Sequence, residues 1–157
     1  MAVNYGVVTK KNPRDADAPV KYHPSLRKKQ TLSLKELAYE VSESTSIGKI
    51  LSANGYRISL ADDGDKVYAS ARDTQPDLIL MDIDMPGLTG IEATKLLKRK
   101  RETKRIPIVM MTAIATEDAV LKSQQAGANN YIAKPFSARD LIRRIEETLL
   151  AYAHNIH

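Results

Sequence analysis

The 157-residue chain is 43% hydrophobic and 27% charged, which suits one globular domain, alone or with an extension. The absence of cysteine excludes disulfides, zinc–thiolate sites, thiolate catalysis and iron–sulfur clusters, and the net charge of +5 permits nucleic-acid binding without demonstrating it. No apolar run approaches the roughly 20 residues that span a bilayer, and no signal peptide follows Met1, so we expect a cytoplasmic protein without a membrane partner.

The first part of the chain, up to residue 47, is polar and carries few secondary-structure signals. Residues 3–10 are a candidate short strand, and a polar, turn-rich stretch follows at 12–19. Ser33 and Glu36 form a capping box, a pair of polar side chains that stabilises a helix start. Apolar residues at helical spacing continue that helix to Val41, and a second helix over 47–53 leads to Gly55.

From Gly55 onward, strand-like and helix-like segments alternate. The predicted strands cover residues 55–61, 78–81, 106–111 and 131–133, and the predicted helices cover residues 66–72, 90–100, 116–126 and 137–149. Asp65 is the predicted N-cap of the first of these helices, and Thr116 and Gly127 bound the third. This alternation predicts an α/β fold, a parallel sheet with helices on both faces.

Three polar residues each close a predicted buried strand: Asp82, Thr112 and Lys134. Because the carboxyl ends of parallel strands meet at one edge of the sheet, these side chains should converge there. A carboxylate, a hydroxyl and an ammonium suit an anion that becomes covalently attached. Asp82 could attack phosphorus, while Lys134 and a Mg²⁺ ion supply the positive charge that phosphoryl transfer requires.

Four separated motifs occur in the order and spacing of one family. They are Leu-Met-Asp-Ile-Asp-Met-Pro-Gly-Leu-Thr-Gly at 80–90, Met-Thr-Ala at 111–113, Ala-Gly-Ala at 126–128 and Tyr-Ile-Ala-Lys-Pro-Phe at 131–136. The turn at 54–56 and the stretch at 61–64 fit as well. Residues from about 48 to 150 therefore resemble the receiver domain of a two-component response regulator, which implies a flavodoxin-like fold.

The resemblance implies an acceptor site. Asp82 would accept a phosphoryl group from a histidine kinase or a phosphotransfer protein, as an acceptor rather than as an enzyme. Asp82 and the backbone carbonyl of Asp84 would face a Mg²⁺ ion. Lys134 would lie beside the phosphoryl group, joined to Pro135 by a cis peptide bond.

The resemblance also implies a switch. Thr112 would be the switch hydroxyl, and the small Ala113 would leave the acceptor accessible. Tyr131 would change rotamer with phosphorylation. The face built from the last helices and strand would then bind a downstream protein partner.

The sequence departs from the family at the first strand. A receiver begins with a strand that ends in two acidic residues, which hold Mg²⁺ beside the acceptor. Counting back from Gly55 gives Ala38 and Tyr39, with Glu40 as the nearest substitute. Because residues 34–41 have a helical pattern, the first strand is missing or supplied by other residues.

Residues 1–46 have a resemblance of their own. The segments at 1–8, 11–13, 18–19, 21–23 and 31–38 are similar to the start of HU/IHF-like DNA-binding proteins. We therefore predict a front fragment or extension at 1–47 and a receiver-like domain at 48–157. The alternatives are an HU-like DNA-binding protein, a helix-turn-helix over 34–56, and an inactive chimera of the two families.

A basic cluster lies at residues 95–105. It contains Lys95, Lys98, Arg99, Lys100, Arg101, Lys104 and Arg105, interrupted by Glu102. The pattern fits a solvated helix end, where cations suit the helix dipole. It also fits a patch for nucleic acid or an acidic partner.

Overall fold

Five strands and five helices alternate along the part of the chain that the structure describes. The computed structural model describes residues 6–11, 44–61, 64–83 and 88–155. The strands are β1 (Gly6–Lys11), β2 (Tyr56–Ala61), β3 (Leu78–Asp82), β4 (Ile108–Thr112) and β5 (Asn130–Ala133). The helices are α1 (Ser44–Ala53), α2 (Gly64–Thr74), α3 (Gly90–Arg99), α4 (Glu117–Ala126) and α5 (Ala138–Asn155).

The five strands form one sheet in the order β2-β1-β3-β4-β5. This is the strand order of flavodoxin-like folds, so the predicted fold class is confirmed. Strands β3, β4 and β5 are parallel, but β1 runs antiparallel to both β2 and β3. The sheet is therefore mixed where the sequence predicted parallel pairing throughout. The missing first strand is supplied by Gly6–Lys11, which lies between β2 and β3 in the sheet.

Strand β3 explains why the sheet lies between two layers of helices. Its side chains alternate between faces, and every one of them is buried, which accounts for the unbroken apolar run. Helices α1 and α5 cover the face of Leu78 and Leu80 with Ile50, Leu51, Leu141 and Ile145. Helices α2 and α3 cover the face of Ile79 and Met81 with Val67, Ala71, Ala93 and Leu97.

The ends of α4 are those that the sequence predicted. The hydroxyl of Thr116 accepts a hydrogen bond from the Ala119 N–H at 3.2 Å, and Gly127 follows the helix at a φ of 106°. The start of α2 differs from the prediction, because the helix begins at Gly64 and Asp65 lies inside it. A Cβ on Gly64 would lie 2.5 Å from the Leu88 Cβ, so the first residue of this helix packs closely against Leu88.

Several predictions concern residues outside the described ranges. The capping box of Ser33 and Glu36 and the helix predicted to continue to Val41 lie there. Helix α1 spans the predicted boundary at residue 47, and β1 joins the sheet formed by later strands. Among the described helices, none has the length and apolar character needed to cross a membrane.

Candidate functional site

Three polar residues lie at one edge of the sheet, where β3, β4 and β5 end. Asp82 is the last residue of β3, Thr112 is the last residue of β4, and Lys134 directly follows β5. Backbone pairing continues there: the Ile83 N–H donates to the Met111 carbonyl at 3.0 Å, and the Lys134 N–H donates to the Thr112 carbonyl at 2.7 Å. The structure thus brings the three predicted residues to the same edge.

Asp82 and Lys134 form an ion pair at this edge. The Lys134 ammonium donates a hydrogen bond to Oδ2 of Asp82. The side chain of Asp82 is only 5% exposed, and that of Lys134 is 28% exposed. A buried carboxylate needs a compensating cation or hydrogen-bond donors, so Lys134 offsets the cost of burying Asp82. The peptide bond between Lys134 and Pro135 is cis, as the resemblance implied.

The hydroxyl of Thr112 is held by the loop that follows β4. It donates to the Ile114 carbonyl at 2.9 Å and accepts from the Ile114 N–H at 3.1 Å. Thr112 is buried, whereas the intervening Ala113 is exposed. A hydroxyl has one proton to donate, so Thr112 must release the Ile114 carbonyl before it can donate to an arriving anion.

Tyr131 lies on the edge strand β5 and is half-buried. It packs against the core on the face that α2 and α3 cover. The guanidinium of Arg144, from α5, lies 5.9 Å from the centre of the Tyr131 ring, within range of a weak cation–π interaction. Its switch role stays a prediction.

Helix α3 begins directly against the end of β3. The Gly90 N–H donates to the Ile83 carbonyl at 2.9 Å. A Cβ on Gly90 would lie 2.1 Å from the backbone oxygen of Asp82, so glycine alone permits this approach. A capping box of Thr89 and Glu92 starts the helix at that point. The Thr-Gly-x-Glu pattern signals the helix start, but the contact with Asp82 has no signal in the sequence.

The described part of the site offers a Mg²⁺ ion one carboxylate, that of Asp82. Asp84 and Glu40, the other predicted metal ligands, lie outside the described residues. Strand β1 contains no acidic residue, and its Gly6 pairs with Met81 beside this edge. The described ranges contain no group of three His, Asp or Glu side chains that could hold a metal. Because proteins often bind Mg²⁺ through one or two carboxylates plus phosphate oxygens and water, Asp82 fits this donor set once a phosphoryl ligand completes it.

Lys98 is a partly buried lysine whose role the sequence analysis missed. Its ammonium donates to the Ile106 carbonyl at 2.8 Å and to Oδ1 of Asn129 at 3.2 Å. Burial lowers the pKa of Lys98 to about 8. A Cβ on Gly127 would meet the Lys98 Cγ at 2.8 Å, so the lysine stem packs on this glycine. Lys98 therefore ties α3 to the start of β4, away from Asp82.

We expect the stability of the wild type and of Lys98→Met to depend differently on pH. The pKa of Lys98 falls from 10.5 to about 8 on folding, so between these values the unfolded chain holds more protons than the folded chain. The free energy of unfolding of the wild type should therefore rise, relative to the variant, as the pH increases from about 8 to about 10.5. Urea unfolding at about pH 7 and pH 10 measures this difference. A parallel pH dependence of the two proteins would contradict it.

Comparison with known sequences identifies related proteins. A family model described as the response regulator receiver domain matches residues 24–146. The phosphate regulon transcriptional regulatory protein PhoB of Pseudomonas aeruginosa is 41% identical over 103 residues, which cover 66% of this chain and 45% of PhoB. Protein PilH of the same organism is 33% identical over 108 residues, covering 69% of this chain and 89% of PilH. The chain thus spans less than half of PhoB but most of PilH.

Comparison with solved structures gives similar folds. The receiver domain of a sensor histidine kinase from Pseudomonas aeruginosa, solved with a magnesium ion coordinated in its active-site cleft, is 36% identical with a TM-score of 0.63. The alignment covers 67% of this chain and 86% of that one. A CheY-like receiver domain protein from Methanospirillum hungatei is 29% identical with a TM-score of 0.65, covering 71% of this chain and 87% of that one.

Proposed function

The chain belongs to the family of response regulator receiver domains, and we propose that Asp82 is its phosphoacceptor in a two-component relay. The observation that carries this proposal is the buried ion pair of Asp82 and Lys134 at the carboxyl edge of the sheet. Ligands of open α/β sheets bind at this edge. The proposed donor is a histidine kinase or a phosphotransfer protein, and the chain acts as its acceptor rather than as an enzyme.

The proposed step transfers a phosphoryl group between two side chains. A carboxylate oxygen of Asp82 attacks the phosphorus of a phosphohistidine on the donor. A P–O bond forms as the P–N bond breaks, the electron pair of the P–N bond stays on the imidazole, and Asp82 becomes an acyl phosphate. Lys134 is already paired with the carboxylate and then offsets phosphoryl charge. The Thr112 hydroxyl exchanges the Ile114 carbonyl for a phosphoryl oxygen.

The proposed cofactor is Mg²⁺, bound by the Asp82 carboxylate, the backbone carbonyl of Asp84 and oxygens of the donor phosphate. When bound, it supplies positive charge next to the transferring group. Glu40 stays the predicted substitute for the acidic pair. Because β1 contributes no carboxylate, binding of the ion in the absence of a phosphate ligand should be weak.

The proposed output is a change in the surface around β5. Phosphorylation shifts the population between two conformations. In the conformation that it favours, the Thr112 hydroxyl no longer donates to the Ile114 carbonyl, and Tyr131 adopts a new rotamer. A downstream protein partner would read the face formed by α4, β5 and α5. Two apolar side chains near these elements are exposed: Leu121 on α4 at 52%, and Ile114 in the loop before α4 at 67%.

We propose that residues 1–47 are an extension that supplies an interior strand, β1, to a receiver-like domain at 48–157. The pairing of Gly6–Lys11 with β2 and β3 supports this contribution of the extension to the sheet. The resemblance of residues 1–46 to HU/IHF-like proteins stays a prediction. So do the alternative interpretations of the chain as a DNA-binding protein or as an inactive chimera. None of the described contacts favours them.

Incubation with acetyl phosphate and Mg²⁺ tests the proposed function. We expect the intact mass of the full chain to increase by one phosphoryl group, because acetyl phosphate can replace a phosphohistidine donor. Borohydride reduces an acyl phosphate to an alcohol, so peptide mass spectrometry should find homoserine at position 82. Addition of EDTA is the control for the metal. An unmodified chain, or modification at a different residue, would overturn the proposal.

A further inference from the structure

A cleft lies at the amino edge of the sheet, opposite the edge that carries Asp82. Its volume is about 720 Å³, which is within the range of small-molecule sites. Three parts of the chain line it: the approach to β3 at 75–77, the turn before β4 at 101–107, and α5 near its end. None of the residues proposed for phosphoryl transfer takes part.

Cations outnumber acids around this cleft. Arg101, Lys104 and Arg105 line it together with Asp77 and Glu102. All three cations are exposed, and none forms an ion pair within the described ranges. Part of the basic cluster therefore lines a concave surface with a surplus of positive charge.

The turn that carries these cations is held in place by buried and partly buried hydrogen bonds. Thr103 is fully buried, and its hydroxyl donates to the Leu97 carbonyl at 2.7 Å. The Ile106 N–H donates to the Thr103 carbonyl at 3.0 Å, and the Lys98 ammonium donates to the Ile106 carbonyl at 2.8 Å. The cations thus project from an ordered turn, which lowers the entropy lost when a ligand binds.

Gln75 connects two walls of the cleft. It has a φ of 47°, in the left-handed region that residues other than glycine rarely adopt. Its side-chain amide donates to the Arg72 carbonyl at 3.0 Å and to the Glu102 carbonyl at 3.1 Å. Strained residues of this kind concentrate at functional sites.

The remaining lining is largely apolar. It consists of Pro76, Ile106, Pro107, Leu149 and the ring of Tyr152. Pro76, Ile106 and Pro107 are buried, whereas Leu149 and Tyr152 are half-buried and accessible to a ligand. The ring of Tyr152 suits a planar group, and the three cations suit a negatively charged one.

We propose that this cleft binds a nucleoside triphosphate, with the phosphates against Arg101, Lys104 and Arg105 and the base against Tyr152. A ligand that fills this cleft would contact both the Tyr152 ring and the three cations, so it would combine a planar group with negative charge. The site does not depend on phosphoryl transfer at Asp82, because the two sites lie at opposite edges of the sheet.

A ¹H–¹⁵N NMR titration of the full chain with ATP in EDTA tests this proposal. We expect shifts confined to the cleft and a Kd below about 1 mM. The Arg101→Gln/Arg105→Gln variant should bind ATP at least about tenfold more weakly. Lys95→Gln/Arg139→Gln removes the same charge at exposed positions outside the cleft, and it should bind within about twofold of the wild type.

Adenosine and pyrophosphate separate the two halves of the ligand, and each should bind more weakly than ATP. The absence of shifts at about 5 mM ATP would overturn the proposal. An equal loss in the two double variants would also overturn it, because general charge attraction would then explain binding. Pyrophosphate binding as tight as that of ATP would leave no role for the base. Asp82→Asn should bind ATP as the wild type does, and dispersed spectra of every variant establish that it is folded.

Discussion

Asp82→Asn should abolish phosphoryl uptake and leave the chain folded, whereas Lys134→Met should reduce uptake and also destabilise the fold. Asparagine keeps the shape of Asp82 but lacks the nucleophilic carboxylate, so no acyl phosphate can form. Lys134 is 28% exposed and its charge can reach solvent. The free energy of unfolding of Asp82→Asn should therefore stay within about 1 kcal/mol of the wild type.

In Lys134→Met the buried carboxylate of Asp82 remains. Methionine at position 134 deprives the buried Asp82 of its cation, which should cost about 2 kcal/mol of the free energy of unfolding. Loss of the charge beside the transferring group should slow phosphoryl uptake by a factor of about 100 or more. Urea unfolding measures the first effect, and intact mass after incubation with acetyl phosphate and Mg²⁺ measures the second.

A double variant and a surface control make these results interpretable. Asp82→Asn/Lys134→Met has no buried carboxylate at position 82, so it should recover most of the stability lost in Lys134→Met. Asp118→Asn removes an exposed carboxylate that pairs with Lys122 on α4, and it should take up phosphoryl groups normally. Persistent uptake in Asp82→Asn would refute the assignment of the acceptor. Unchanged stability in Lys134→Met would show that the ion pair does not compensate the burial of Asp82.

Gly90→Ala should strongly destabilise the fold. The added Cβ would lie 2.1 Å from the Asp82 oxygen and 2.8 Å from the Ile83 Cα. These are backbone atoms, so relief of the clash requires α3 to move away from the end of β3. We expect a loss of about 3 kcal/mol in the free energy of unfolding, as for severe overpacking. Uptake should fall as well, because the displaced backbone carries Asp82.

Gly48→Ala is the matched control for this experiment. Gly48 lies inside α1, and a Cβ there would have no neighbour within 4 Å. Alanine should therefore raise the free energy of unfolding by about 0.5–1 kcal/mol through its higher helix propensity. Thermal or urea unfolding of both variants measures the contrast. Equal effects of the two substitutions would mean that the close approach of Gly90 to Asp82 does not constrain the fold.

Much of the acceptor edge could be predicted because its signals are local. The apolar runs at 78–81 and 106–111 indicate strands buried on both faces, and each ends at the polar residue found at the edge. Asp82, Thr112 and Lys134 could therefore be placed together without coordinates. The ends of α4 could be predicted for the same reason. Thr116 and Gly127 form hydrogen bonds with backbone groups in the first and last turns of the helix, which are close to them in sequence.

Other features arise where distant segments meet. The cleft at the amino edge joins the turn at 101–107 to Tyr152, and Gln75 holds its walls together through Glu102. The sequence shows the basic cluster but not its concave surroundings. The low pKa of Lys98 likewise results from burial between α3 and the start of β4, which no local pattern reveals.

The sequence by itself determined the α/β class, the order of the elements from Gly55 onward and the three polar residues at the carboxyl ends of β3, β4 and β5. Hydrophobic periodicity and the residues that begin and end helices are local features of the sequence, so they do not depend on how the segments pack together. Only the tertiary structure decided the direction of β1, which joins the sheet antiparallel to both neighbours. A strand can satisfy its backbone hydrogen bonds in either direction, so its sequence carries no signal for the choice. The contact of Gly90 with Asp82 has the same origin, since it exists only once α3 packs against the end of β3.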